Sequence, residues 1–312
     1  MQAYPGILRC VAFIGYQLPG GGFRPEGTCF FVLVREEELD FHYVVTCRHV
    51  VQEIAKAAEP AFRVNRASGR HALIPAPESE WFGHPDRNVD LTATRLDLET
   101  ADSDEGAEFL AVNLHALAFD AQKAERHPLG IGDMLFMPSL FVGRYGDRKN
   151  IPILRVATLA AMAEEPVYGL SPRKRAYLIE TRSLGGTSGS PVFLNAVPQP
   201  TRVALAAPEA SRDAVYGVPY FLIGVYLGGH GGHYASDFPN YGDGDGDGDG
   251  NENQQKPEKE HTIISPDAHF NAGIGVVLPV EHVWEVLNQP AFRDVRAATI
   301  AAKRAQSGFR PD

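Results

Sequence analysis

Residues 184–193 read Leu-Gly-Gly-Thr-Ser-Gly-Ser-Pro-Val-Phe, a serine set among glycines between two apolar runs. Glycine on both sides of Ser188 permits a tight turn, because glycine alone takes positive φ at no steric cost. Such a turn exposes the Ser188 hydroxyl and directs successive backbone N–H groups to one side. Pro191 closes it, and Val192-Phe193 returns the chain to a strand. An ordinary Gly/Ser turn needs neither the proline nor the flanking strands, so the stretch reads as the seat of a nucleophile.

A serine nucleophile needs a base to take its proton, an acid to orient that base, and N–H donors for the developing oxyanion. Two segments upstream offer the first two. In YVVTCRHVV, residues 43–51, an apolar strand delivers His49 at its end, where a helix is expected to begin. The Val-Thr-x-x-His-Val setting distinguishes His49 from the other histidines as the candidate base. In NVDLTATRL, residues 88–96, Asp90 stands at the head of a half-apolar strand and is the candidate orienting acid. Asp86 is a near competitor; Asp90 is preferred because the apolar strand begins directly after it.

Around these anchors the apolar runs are short and separated by turn residues. Strands are predicted over 11–14, 29–34, 43–46, 91–96, 134–137, 153–157, 177–180, 192–194, 221–226 and 274–278. Helical periodicity is confined to 50–58, 121–126 and the stretch from 280 through 295–305. Many short strands and few helices point to an all-β barrel or sandwich. Residues 103–108 and 198–211 read as loops, and the Asp-Gly run within 242–260 as a mobile acidic loop. Asp243, Asp245 and Asp247 imitate the start of an EF-hand, but Gln254 stands where the bidentate Glu belongs.

The order His49, Asp90, Ser188 resembles the trypsin-like serine peptidases, and most nearly the branch of the HtrA-type and glutamyl endopeptidases. GTCFFV (27–32), YVVTCRHVV and GGTSGSPVF carry the likeness. IGDML (131–135), IGVYLGG (223–229) and NAGIGVVLPVEHVWEVL (271–287) extend it to about residues 8–290. The resemblance implies two six-stranded antiparallel β-barrels, chymotrypsin-like, with a C-terminal helix. It places one barrel in 1–120 with His49 and Asp90, and a second in 121–290 with Ser188 and a mobile acidic loop at 235–262. A helical tail at 291–312 would follow. It further implies an oxyanion hole from the N–H groups of Gly186 and Ser188, and pairing of substrate backbone with Tyr226, Leu227 and Gly228. Arg182, six residues before Ser188, would favour an acidic substrate side chain. Thr187 stands where digestive enzymes carry an activating Asp, so activation by a freshly cut N-terminus is not expected. Arg48, beside the base, is expected to point to solvent.

The implied activity is a serine endopeptidase acting through an acyl-enzyme; the alternative is a catalytically silent peptide-binding module of the same fold. A small-ester hydrolase is a third reading. A net charge of −10 argues against nucleic-acid and anionic-membrane partners, leaving a peptide or protein substrate and an unidentified regulatory partner. No cofactor motif is present, and His230 and His233 lack a third metal ligand, so neither cofactor nor metal is expected. The three cysteines read as free thiols, although a Cys29–Cys47 bridge is the alternative. With no secretory leader and no apolar run of about 18 residues, a cytoplasmic location is expected.

Overall fold

The structure, a computed structural model, describes residues 5–97, 106–167, 174–182, 184–196, 220–231 and 271–306. Its first half contains β1 (Val11–Gln17), β2 (Phe23–Glu36), β3 (Leu39–Thr46), β4 (Ala61–Asn65), β5 (His71–Pro75), β6 (Phe82–Gly83), β7 (Thr92–Arg95) and β8 (Val112–Asn113). Seven of these run in the order β5-β4-β1-β2-β3-β7-β6, and β8 adds to β2 in parallel. The second half contains β9 (Met134–Ser139), β10 (Ile153–Ala161), the small pair β11 (Pro166–Val167) and β12 (Lys174–Arg175), then β13 (Tyr177–Glu180), β14 (Pro191–Asn195), β15 (Tyr220–Gly231) and β16 (Asn271–Pro279). Here β10-β13-β16-β15-β14-β9 close into a six-stranded antiparallel barrel. The expected all-β architecture is therefore present. Among the described residues the first half is an eight-stranded sheet and not the expected closed six-stranded barrel, with the two-residue β6 added at the β7 edge and the two-residue β8 paired to β2.

Burial explains why these segments are strands. Along β10, Val156 and Thr158 face out while Ala157 and Leu159 are buried, the period of two expected of a sheet with one wet face. Residues 27–32 of β2 are buried without a break, because both faces of that stretch are covered. Five α-helices lie among the described residues, besides three short 3-10 helices: α1 (Arg48–Ala55), α2 (Leu114–Leu117), α3 (Ala121–Arg126), α4 (Glu281–Leu287) and α5 (Pro290–Gln306). In α1, Val50, Val51 and Ile54 form one buried face, which fixes the direction in which the first turn leaves β3.

Two apolar cores result. The smaller fills the closed barrel around Leu135, Leu159, Ile223 and Val277. The larger begins in the first sheet and continues through Val283, Val286 and Leu287 of α4 to Phe292 of α5. The helical segment expected as a tail is thus docked: the Phe292 ring meets Tyr43 and Phe82 edge-on, each at 5.2 Å. The loop expected at 235–262, its Asp-Gly run, residues 103–105 and 198–211, His233 and the His230 side chain lie outside the described residues. No helix among the described residues is long and apolar enough to cross a membrane.

Candidate active site

β3 ends at Thr46, and the chain turns through Cys47 into α1, so His49 lies in that helix's first turn. The first amides of a helix have no partner within it. Asp90 supplies one: its Oδ1 accepts from the His49 backbone N–H at 2.9 Å. Its Oδ2 accepts a short bond from His49 Nδ1–H. One carboxylate therefore caps α1 and fixes the ring tautomer, leaving Nε2 unprotonated as a base requires. Burial pushes the Asp90 carboxyl up, but the bonds from His49 and the Arg48 charge outweigh it and hold the group below its usual range.

The loop carrying Asp90 is held by a residue expected to point away from it. Arg48 Nη1 donates to the Arg87 carbonyl at 2.8 Å and Nη2 to the His84 carbonyl at 2.9 Å. Arg48 thus lies along the Asp90 loop instead of in solvent, because carbonyls of residues 84–87 offer better acceptors than water alone. It packs so closely that a Cβ at Gly83 would come within 2.6 Å of its guanidinium.

The Ser188 turn fits the shape its glycines suggest. Gly186 and Gly189 take φ of 87° and 85°. A Cβ on Gly189 would stand 2.1 Å from the Thr28 carbonyl, so the turn lies against β2 as closely as backbone allows. Thr28 ties it there: its N–H donates to the Ser188 carbonyl at 3.1 Å and its Oγ1 to the Gly186 carbonyl at 2.8 Å. Thr187 is buried and donates from Oγ1 to the Leu184 carbonyl at 2.7 Å, an internal tie in place of an ion pair. Among the described residues, the N–H groups of Gly186 and Ser188 have no acceptor, the state an oxyanion site requires.

One carbonyl joins the nucleophile turn to the base. Tyr226 O accepts from Gly189 N–H at 2.8 Å and from the Cys47 thiol at 3.4 Å, one residue after Ser188 and two before His49. This also corrects the expectation for Tyr226. Its N–H donates to the Ser190 carbonyl, its carbonyl is taken, and its side chain is wholly buried in the barrel, so it supports the cleft without lining it. Leu227 is a bulge: Tyr226 pairs with Val277 and Gly228 with Val276, with Leu227 left between them. Its carbonyl is thereby turned to Ser188, whose Oγ–H donates to it at 2.7 Å. Gly228, at φ 151°, sits beside the same hydroxyl. Among the described residues no hydrogen bond joins Ser188 to His49.

Cys47, His49 and Asp90 place three donor atoms close together, but Cys47 does not suit a metal. Burial and the Asp90 charge push its thiol well above the ordinary range, keeping it protonated. Cys10, Cys29 and Cys47 are all buried free thiols. Arg182 is exposed just beyond β13. A second arginine, which sequence patterning gave no reason to single out, projects inward from β10: Arg155 Nη2 donates to Thr181 Oγ1 at 2.9 Å, and its Nη1 is buried without a hydrogen bond. Burial lowers its pKa, while the neighbouring Tyr226 hydroxyl opposes that shift.

No protein-family model and no curated protein matches the chain. Among solved structures it is similar to the MamO protease domain from Magnetospirillum magneticum in its apo form, with a TM-score of 0.50 and 13% identity over 92% of this chain and 100% of that one. Human heparin binding protein aligns at a TM-score of 0.37 and 15% identity, over 63% of this chain and 80% of that one, too distant to add to the argument. The fold is chymotrypsin-like. At 13% identity the likeness extends to the fold alone.

Proposed function

We propose that this chain is a serine endopeptidase in which Ser188 is the nucleophile, His49 the general base and Asp90 its orienting acid. The observation that carries the reading is the shared Tyr226 carbonyl, which fastens the Ser188 turn to the strand end that delivers His49. Substrate lies along β15 beyond Tyr226, with its backbone against Leu227 and Gly228. A substrate N–H reaching Leu227 O displaces the Ser188 hydroxyl, which turns to His49 Nε2. Ser188 Oγ then attacks the scissile carbonyl as its proton passes to Nε2, and the oxyanion meets the N–H groups of Gly186 and Ser188. His49 returns the proton to the leaving amine, and water hydrolyses the acyl-enzyme by the same steps. Asp90 stabilises the imidazolium throughout. Arg182 at the rim, backed by Arg155, favours an acidic substrate side chain. Within this reading, the resemblance of the motifs favours a relation to the HtrA-type and glutamyl endopeptidases.

A second reading, a silent peptide-binding module, is favoured by one observation: the Ser188 hydroxyl is held by Leu227 O and not by His49. A fluorophosphonate probe separates the two. The peptidase reading expects covalent labelling of the wild type and none in Ser188→Ala or His49→Ala. An unlabelled, folded wild type that still binds peptide would establish the silent module instead.

A further inference from the structure

Away from the Ser188 cleft, His84, His282 and Glu285 bring two imidazoles and a carboxylate together, their donor atoms all within 4.8 Å of one another. His84 Nε2 is 2.5 Å and His282 Nδ1 2.7 Å from the same oxygen, Glu285 Oε2. We propose that these three residues form a divalent transition-metal site, of the kind zinc occupies, which clamps α4 to the loop bearing Asp90. Two nitrogen donors and one carboxylate oxygen are a zinc donor set, whereas calcium and magnesium require oxygen throughout. Ligands about 2.0–2.1 Å from a tetrahedral ion stand roughly 3.4 Å apart, so each nitrogen needs to part from Glu285 Oε2 by under about 1 Å to admit one, with the two nitrogens already within 4.8 Å of each other.

The histidine from the first half is prepared for either state. His84 Nδ1 lies 3.0 Å from the Asp86 N–H and 3.2 Å from the Asp86 carbonyl. With Nδ1 accepting from the amide, Nε2–H donates to Glu285, as in the structure. With Nδ1–H donating to the carbonyl, Nε2 is left bare toward the cluster, the backbone-fixed tautomer that metal-binding imidazoles use. The exposures grade in the same sense: the His84 side chain is 6% exposed, His282 23% and Glu285 52%, which leaves an outer face for a water as fourth ligand. His282 and Glu285 are three apart on α4, hence on one face of it.

The site would bear on the catalytic pair through short links. His84 N–H donates to the Leu91 carbonyl at 2.9 Å, next to Asp90, and the His84 carbonyl accepts from Arg48, next to His49. Binding can be measured without activity, so the proposal stands or falls apart from the peptidase reading. Chelator-stripped protein is titrated with Zn²⁺ by calorimetry and with Co²⁺ by visible absorbance, with thermal melts of each variant as a folding control. One equivalent is expected in the wild type and in His49→Ala, with a tetrahedral Co²⁺ spectrum and a raised Tm. His282→Ala and Glu285→Gln, both on the exposed side, should lose more than the roughly 10–100-fold that an outer-shell partner costs. No binding by the wild type would overturn the site, as would binding that persists in both variants. Loss of binding in His49→Ala would overturn it too, by moving the metal to the Cys47 group.

Discussion

Asp90 does two jobs with one carboxylate, and both depend on its charge. It caps α1 through the His49 amide and orients the His49 ring. Its folded pKa lies below the ordinary value of 3.8. The ionised form therefore adds stability that is fully present above that value and is lost as pH falls through the folded pKa. Asp90→Asn should accordingly unfold at lower urea concentration than wild type at neutral pH, and the gap should narrow as pH falls below 3.8 and close once the folded-state carboxyl is protonated. A gap that stays constant with pH would mean the stabilisation comes from shape and not from charge. The turn around Ser188 and the meeting of His49 with Asp90 were legible in sequence because each residue sits at a break in an apolar run. The roles of Arg48 and the Tyr226 carbonyl were not, since both act through backbone groups that a sequence does not mark.

The turn between β13 and β14 shows the same division at the scale of an element. Its glycines were readable as a turn, but which of them is indispensable depends on what the turn lies against. Gly189 combines φ of 85° with contact against the Thr28 carbonyl and Thr46 Oγ1. A methyl there meets backbone strain of about 1–2 kcal/mol and overpacking of about 1–3 kcal/mol. Gly189→Ala should thus lower stability by about 2–5 kcal/mol and abolish probe labelling. Gly185→Ala, where nothing lies within 4 Å of the new Cβ, should change neither. Equal effects in urea denaturation would mean that the turn is not seated on β2 as described. The longest of the strands that escaped sequence reading, β4 and β5, have a related cause. Arg63 is 1% exposed in β4, set over the Phe23 and Tyr145 rings at 5.5 Å each, so the buried face carries a cation where a hydrophobe is expected.

Over the whole molecule, the two halves are joined by the chain end as well as by the cleft. Residues 290–306 carry few large apolar side chains, and so read as a tail; their anchorage rests on Phe292 and an arginine. Arg296 is 2% exposed and bonds through all three nitrogens: Nε donates to Glu36 Oε1 at 2.8 Å, Nη1 to the Leu287 carbonyl at 2.7 Å and the Tyr43 hydroxyl at 3.2 Å, and Nη2 to Asn288 Oδ1 at 3.1 Å. These bonds tie the end of β2, the middle of β3 and the end of α4 to one guanidinium. Breaking a buried ion pair by removing one partner costs about 3–5 kcal/mol, and the partial exposure of Glu36 puts this case near 3. Arg296→Ala should therefore lower the urea midpoint by the equivalent of roughly 3 kcal/mol. Arg304→Ala, which removes an exposed pair with Glu37, should cost under about 1 kcal/mol. If the two substitutions cost the same, α5 is a surface appendage and the larger core ends at α4. If they separate as expected, the last helix is part of the framework that holds β3, and with it the His49 end of the cleft, in place.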